Sequence, residues 1–555
     1  MRNTLVLTLA GALLGTAALA QQGPHGKVKT KSKPGRTAAA PAAAAAPAPP
    51  TDWSVPYAAS ITPDGLRKDL IVLASDEYEG RETGTKGQRM AADYISKRFA
   101  ALGLAGPVQG SDNPYIQHFS LESRSWGDGI SLKVGKRAFQ WSKDFYSISN
   151  DSPFPTETEL QIVFAGYGLD LPNYSDYTGL DVTGKDVVVL TGEPLDAQGK
   201  SLLSTNGKSV KLTGPGNMVT AATKHGARSI LILNTDADDF ATTLERVASY
   251  SKQPRLAAAG QTGPKRTAAF VLGPAASYAL LHTNEATLKK YEAATTAAGK
   301  PVKASFKPAK TTLAAPRKVE PLSTENVLGY LEGSDKKDEL VVMSAHYDHL
   351  GLKDGKVFNG ADDDGSGTVS VLSFADAFVQ AKKDGHGPRR SILFLANTGE
   401  EEGLLGSQYY TDHPVFPLES TVADVNIDMV GRVDPEHEGK GDYVYIVGAD
   451  KLSSELNAVS EATNQKYNPI ALDYKYNDPN DPEHIYYRSD HYNFAKHKIP
   501  VAFYTSGLHA DYHKETDEVD KINFPAMARR DQLIFHTAWE LANRDNRPVV
   551  DSNKP

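Results

Sequence analysis

An α/β fold, with a mostly parallel sheet flanked by helices, is predicted by three features of this 555-residue chain. Apolar runs at Val341–Met343, Ile392–Ala396, Ala423–Met429 and Ile499–Thr505 have the length and composition of buried strands. Helical text such as TVSVLSFADAFVQA, with Val369, Leu372, Phe374, Ala375, Phe378 and Val379 on one face, separates them. Strands alternating with helices in this way argue a parallel sheet covered on both faces. Each run also ends close to a His, Asp or Glu, and open α/β sheets place their sites beyond the carboxyl ends of their strands.

The chain begins Met1-Arg2-Asn3, continues into LVLTLAGALLGTAALA and closes that run with Ala18-Leu19-Ala20. A charged start, an apolar centre and an A-x-A end read as a signal peptide over 1–20, cleaved after Ala20. A periplasmic or secreted bacterial protein with no membrane anchor after cleavage is the expectation. Residues 21–50 are rich in Ala, Pro and Lys and read as a disordered linker. The chain has no cysteine. Disulfides, thiol nucleophiles and cysteine-based zinc sites are excluded, so any metal must be held by His, Asp and Glu. The net charge is −8 and the folded part carries no dense Lys/Arg block, which argues against a nucleic-acid partner.

Residues 51–149 read as the first segment of a catalytic domain. Thr62-Pro63-Asp64 starts a helix carrying Leu66, Leu70 and Leu73, and a second helix ends at Gly103. Glu79, Arg81 and Glu82, in the Gly-containing loop between them, could line a pocket but read more simply as a solvated turn. Short strands follow to about residue 150. Residues 150–318 alternate strands with Gly/Asp turns, show no cluster of metal-ligand residue types, and read as an inserted domain that shapes access or binds partners. His225 reads there as a surface helix residue. The second catalytic segment spans 319–545, and 546–555 reads as a flexible tail.

Within 319–545 the first strand runs into His346-x-Asp348, and NGADDDGSG follows at 359–367. Taken alone, H-x-D is as readily a loop dipeptide, and Asp at a helix start is as readily a cap. Repetition gives the pattern its weight, because four successive strands deliver an imidazole or carboxylate at the same edge. Such N/O donors suit zinc where thiolates are lacking. Two ions close together need a shared ligand, which a carboxylate with two oxygens supplies. H-E-x-x-H, G-x-S-x-G, Walker A and G-x-G-x-x-G patterns are all absent, so serine-hydrolase and dinucleotide chemistry have no support.

His346-x-Asp348, Gly360-Ala361-Asp362-Asp363, Glu400-Glu401-x-Gly403, Asn426-x-Asp428-Met429 and Tyr512-His513 occur in this order. Together they resemble the di-zinc exopeptidases of the aminopeptidase S type, a family that also contains glutamate carboxypeptidases. VFAGYGL, DYTGLDVTGKDVVVL and KHGARSILI resemble the protease-associated domain that some members carry inserted. The resemblance implies two zinc ions per chain, with Asp363 bridging, His346 and Asp428 completing one site, and Glu401 and His513 the other. It implies Glu400 as general base to a hydroxide held between the metals, with Asp348 accepting a hydrogen bond from His346. It also implies Tyr512 as a donor to the developing oxyanion, Arg488 near the substrate and a cis peptide after Asp363. Within Glu400–Glu402 the match requires Glu402 to be the spare residue, and His509 competes with His513. The implied activity is an exported aminopeptidase acting on peptide substrates. The alternatives are a carboxypeptidase of the same fold acting on acidic C-termini, or a non-enzymatic receptor-like homologue.

Overall fold

The computed structural model describes residues 51–552 apart from 150, 196–199, 204–214, 253, 262–265, 441 and 468. The leader and linker readings over 1–50 lie outside the described residues. Asp52–Pro555 is one compact unit.

Its centre is a nine-stranded sheet. In chain order the strands are β1 (Ile116–Trp126), β2 (Arg255–Ala258), β3 (Arg317–Leu331), β4 (Lys336–His346), β5 (Arg390–Asn397), β6 (Thr421–Ile427), β7 (Tyr443–Val447), β8 (Ala471–Asp473) and β9 (Val501–Thr505). Their order across the sheet is β2-β1-β3-β5-β4-β6-β9-β7-β8. The four central strands, β5-β4-β6-β9, are mutually parallel, so their carboxyl ends share one edge. Alternation along β4 and β5 divides the side chains between two cores. Val341, Met343, Ala345, Ile392, Phe394 and Ala396 face one, while Leu340, Val342, Leu393 and Leu395 face the other. Sheets buried on both faces need near-continuous apolar strands, which is what these sequences supply.

The larger core is closed by α1 (Pro63–Leu73), α2 (Lys86–Leu102), α3 (Gly367–Lys383) and α4 (Phe524–Asn543). Thr62 caps α1 by accepting from the Gly65 amide, and Gly103 ends α2 in the left-handed conformation. Short helices at Leu405–Asp412 and His491–Lys496 cover the opposite face. No helix among the described residues is long and apolar enough to cross a membrane.

A second region carries its own apolar cores. A five-stranded sheet (145–147, 268–272, 229–233, 186–190, 162–164) stands beside a four-stranded antiparallel one (137–139, 131–134, 311–314, 158–159). Three of these strands precede residue 150. In the other direction, β2 lies within 150–318 but pairs antiparallel with β1 at the margin of the large sheet. His225, read as a helix residue, lies in the turn just past the helix Pro215–Lys224, stacked on Tyr177 and 2.9 Å from Asp170. Residues 546–552 bind back onto the fold, for Arg547 donates to Glu339 and the Asp551 amide to the Leu452 carbonyl.

The reading of Arg81 as part of a solvated turn is corrected by the structure. Its side chain is 1% exposed. The guanidinium donates to the carbonyls of Tyr347, Leu73 and Asn359, each at 2.7 Å, and of Gly360 at 2.9 Å. Planar donors spread over a fork suit four carbonyls on separate segments, of which Gly360 also accepts from the Gly365 amide. Arg81 thereby ties α1 to the loops that follow β4. Arg81→Met is expected to leave the Tyr347, Leu73 and Asn359 carbonyls without this donor and to lower stability by about 3 kcal/mol or more, read by urea unfolding.

A second buried polar contact joins α3 to α4. Ser370 Oγ lies 2.9 and 3.0 Å from the two Asp531 carboxyl oxygens and 2.8 Å from the Ser366 carbonyl. A hydroxyl has one proton to give, so a protonated Asp531 completes the set. Burial pushes the Asp531 carboxyl up to about 8. An unfolded Asp titrates near 3.9. The group's contribution is therefore complete below that pH and declines as pH rises through about 8. Asp531→Asn keeps a donor toward Ser370 and cannot ionise. Its thermal midpoint relative to the parent chain is expected to rise steadily between pH 5 and pH 8.

Candidate metal centre

The site forms where β4, β5, β6 and β9 end. After β4, Gly360 takes φ +53° and the chain turns through Ala361–Ser366 into α3. The outer two residues of Asp362-Asp363-Asp364 fasten this turn. Asp364 accepts from the amides of Gly367 (2.7 Å), Met429 (3.1 Å) and His346 (3.3 Å), joining α3, the end of β6 and β4. Asp362 accepts from the Gly431 amide at 2.6 Å and from Ser366 Oγ at 2.9 Å. The amides of Asp362 and Asp363 both donate to Asp517, on the loop after β9. With its neighbours so occupied, the Asp363 carboxylate is left to face the strand ends. The Asp363–Asp364 peptide is cis.

Four loops bring imidazoles and carboxylates to Asp363. His346 Nε2 lies 3.4 Å from Asp363 Oδ1, 3.7 Å from Asp428 Oδ2 and 3.8 Å from Glu400 Oε2. On the other side, His513 Nε2 lies 3.2 Å from Asp363 Oδ2 and 3.1 Å from Glu401 Oε2. His509 stands apart, 3.2 Å from Asp362 Oδ2. One imidazole was missed in the sequence. His349, 1% exposed, lies 2.7 Å from Glu401 Oε1 and 3.8 Å from Asp363 Oδ2. Its adjacency to Asp348 in HYDH was the available signal, masked by its position beyond the strand.

The run of three glutamates divides by direction. Glu400 and Glu401 turn toward Asp363, whereas Glu402 accepts a long hydrogen bond from the Leu256 amide of β2. Asp348 is placed differently from expectation. His346 Nδ1 lies 3.1 Å from the Asp348 main-chain carbonyl, and the carboxylate is farther off at 3.6 Å. That carboxylate accepts from Thr83 Oγ1 and from the Glu400 amide, so it anchors the Glu400 loop as well. The Tyr512 ring stacks on His513 at 3.9 Å, and its hydroxyl accepts from Arg488 at 2.9 Å. Both flank a pocket that also contains Asp363, Glu400 and Asp428, with Met429, Tyr476, Ile485, Phe503 and Leu508 as its apolar walls.

Buried charge sets the electrostatics. Burial alone would drive the His346 imidazolium to lose its proton, but Glu400, Asp348, Asp363 and Asp428 outweigh it and hold its pKa well above the ordinary value. For His513, burial is likewise overcome by Asp363 and Glu401, which raise it to about 10. Burial pushes the Glu400 carboxyl well up, and Glu401, Asp428 and Asp490 add to this against the pull of His346. Burial and Asp363 act upward on Glu401 too, yet His349 and His513 bring it down to about 2.

These donors fit a metal better than they fit each other. His346 Nε2, both nitrogens of His349, Asp363 Oδ2 and Glu401 Oε1 are buried without a hydrogen-bond partner. Such groups are costly unless something satisfies them. Two sets, His346–Asp363–Asp428 and His349–Asp363–Glu401, each gather their ligand atoms within 4.8 Å of one another. Zinc bonds of 2.0–2.2 Å in tetrahedral array put ligand atoms about 3.3 Å apart, within the range seen here.

Residues 326–538 match the model of Peptidase family M28. A probable leucine aminopeptidase of Trichophyton verrucosum is 31% identical over 214 residues, covering 37% of this chain and 55% of that protein. Aminopeptidase YwaD of Bacillus subtilis is 25% identical over 234 residues, covering 41% and 46%. The chain thus spans about half the length of the curated relatives it matches. In fold, it is similar to an aminopeptidase from Aneurinibacillus sp. strain AM-1, with a TM-score of 0.52, 18% identity and coverage of 90% of this chain and all of that one. The segment that matches Peptidase family M28, 326–538, holds every side chain gathered around Asp363.

Proposed function

We propose that this protein is an exported aminopeptidase that uses two zinc ions to remove the N-terminal residue of peptides. One observation carries the reading: imidazoles and carboxylates from four loops converge on Asp363 with their polar atoms unsatisfied, at the floor of an apolar-walled pocket. His346 and Asp428 would hold one ion, Glu401 and His513 the other, and Asp363 would lie between them. When bound, the pair would polarise the scissile carbonyl and lower the pKa of an attacking water.

The remaining steps fall to the chain's own groups. Glu400 takes the proton from the attacking water and hands it to the departing amine. Its carboxylate lies 3.8 Å from His346 Nε2, beside the atoms that would hold the metals and within reach of a water between them. Asp348 supports the Glu400 loop through the Glu400 amide and keeps the base in place. Tyr512, with Arg488 donating to its hydroxyl, donates in turn to the developing oxyanion. Met429, Tyr476, Ile485, Phe503 and Leu508 receive the side chain of the departing residue, which favours bulky apolar N-termini. The free amine meets the carboxylate-rich floor.

Export rests on the Met1–Ala20 reading, and the region 150–318 is taken as a protease-associated-like domain from its sequence resemblance. A second reading, hydrolysis at acidic C-termini, is favoured by one feature: the Arg488 guanidinium lines the same pocket.

Leucyl and phenylalanyl nitroanilides are expected to be cleaved much faster than glutamyl or lysyl ones, with activity lost on chelation and regained with zinc. Cleavage of N-blocked dipeptides but not of free aminoacyl substrates would select the carboxypeptidase instead. Glu400→Gln is expected to lower kcat by about a hundred- to ten-thousand-fold. Zinc content should stay as in the parent chain. A variant with near-parental kcat would remove Glu400 from the role of base.

A further inference from the structure

We infer that His349 is a third metal-binding imidazole, joining Asp363, Glu401 and His513 at the second ion; this rests on the two-zinc reading above. The residue lies three positions past His346, beyond the end of β4, and is almost fully buried. Its Nδ1 comes within 2.7 Å of Glu401 Oε1 and 3.8 Å of Asp363 Oδ2. Close as the first pair is, neither atom is in hydrogen-bond geometry, and His349 Nε2 is equally without a partner. Donor atoms that converge at this distance, one an ion pair and the rest without hydrogen-bond partners, are what a shared cation would gather.

A buried histidine is more commonly a structural residue, and His491 shows how that differs here. Its ring nitrogens also lack partners, but it stacks on Phe503 and no carboxylate lies within 4 Å among the described residues. His349 instead faces two carboxylates and meets the His513 ring edge-on, with centroids 5.9 Å apart.

The backbone is shaped to keep the ring there. A side chain on Gly360 would bring its first carbon within 2.4 Å of His349 Cδ2 and Cγ, so the missing side chain leaves the space the imidazole fills. The His349 amide donates to the Arg81 carbonyl at 3.3 Å, fixing the loop to the element that also binds the Asn359 and Gly360 carbonyls. The two ions would then differ in chemistry. The His346 side offers one imidazole with Asp363 and Asp428, while the other side offers two with Asp363 and Glu401. Additional nitrogen donors favour zinc over magnesium, calcium or manganese at that position.

The test uses zinc alone with the full chain. X-ray absorption of the protein loaded with two zinc ions is expected to count three imidazoles over the pair, and two imidazoles would overturn the assignment. In calorimetric titration, His349→Ala is expected to weaken one of the two zinc ions by more than about 100-fold, beyond the loss typical of an outer-shell change, and to leave the other near its parental affinity. Parental affinity for both ions in that variant would overturn it as well. Failure of the unmodified chain to bind zinc at all would remove the two-zinc reading and this inference together. Two bound ions with only two imidazoles would remove this inference alone.

Discussion

Negative charge gathered away from water is the constraint around which this fold is built. Asp348, Asp363, Asp364, Glu400, Glu401, Asp428 and Asp490 crowd the ends of four strands, all buried or nearly so. The buried guanidinium nearby, Arg81, is turned to main-chain carbonyls rather than to any carboxylate. An ionised carboxylate removed from water carries a penalty of several kcal/mol unless a partner offsets it. Neighbouring carboxylates raise the pKa of His346 and His513, and burial raises that of Glu400 and Asp364 and lifts Asp490 to about 6. A divalent cation could offset the same charge in one place, and two sets of donor atoms around Asp363 lie close enough together to hold one.

Much of this was legible in the sequence because strand periodicity and motif spacing survive to the carboxyl end of a strand. His346, Asp428 and the pair Glu400-Glu401 follow apolar runs directly, so the parallel sheet alone brings them to a common edge. The triplet of aspartates was also readable in outline, and the structure explains its composition: two members secure the turn and one is free. Directions beyond the strand end were not legible. His349 stands where the alternation of β4 has ceased, and nothing in the local pattern says which way its ring points. Glu402 differs from its neighbours only in facing away, toward a strand almost 150 residues earlier in the chain.

Arg81 shows a different limit. A charged residue among glycines reads as exposed, because hydropathy registers the guanidinium and not its partners. Those partners are main-chain carbonyls up to 279 residues distant, three of them in irregular loops. Main-chain groups have no signature in the sequence. The same holds for Asp348, whose carboxylate was expected against the His346 ring and instead anchors the amide of Glu400.

The strand Arg255–Ala258 carries a consequence for how the second region can be handled. Its pairing with Leu121–Arg124 shields the margin of the large sheet. Cutting out 150–318 would therefore uncover a row of main-chain donors and acceptors, the kind of surface along which chains stick to one another. A shortened protein made that way would be prone to self-association for reasons unrelated to catalysis. Any loss of function in it would report on solubility before it reported on what the region does.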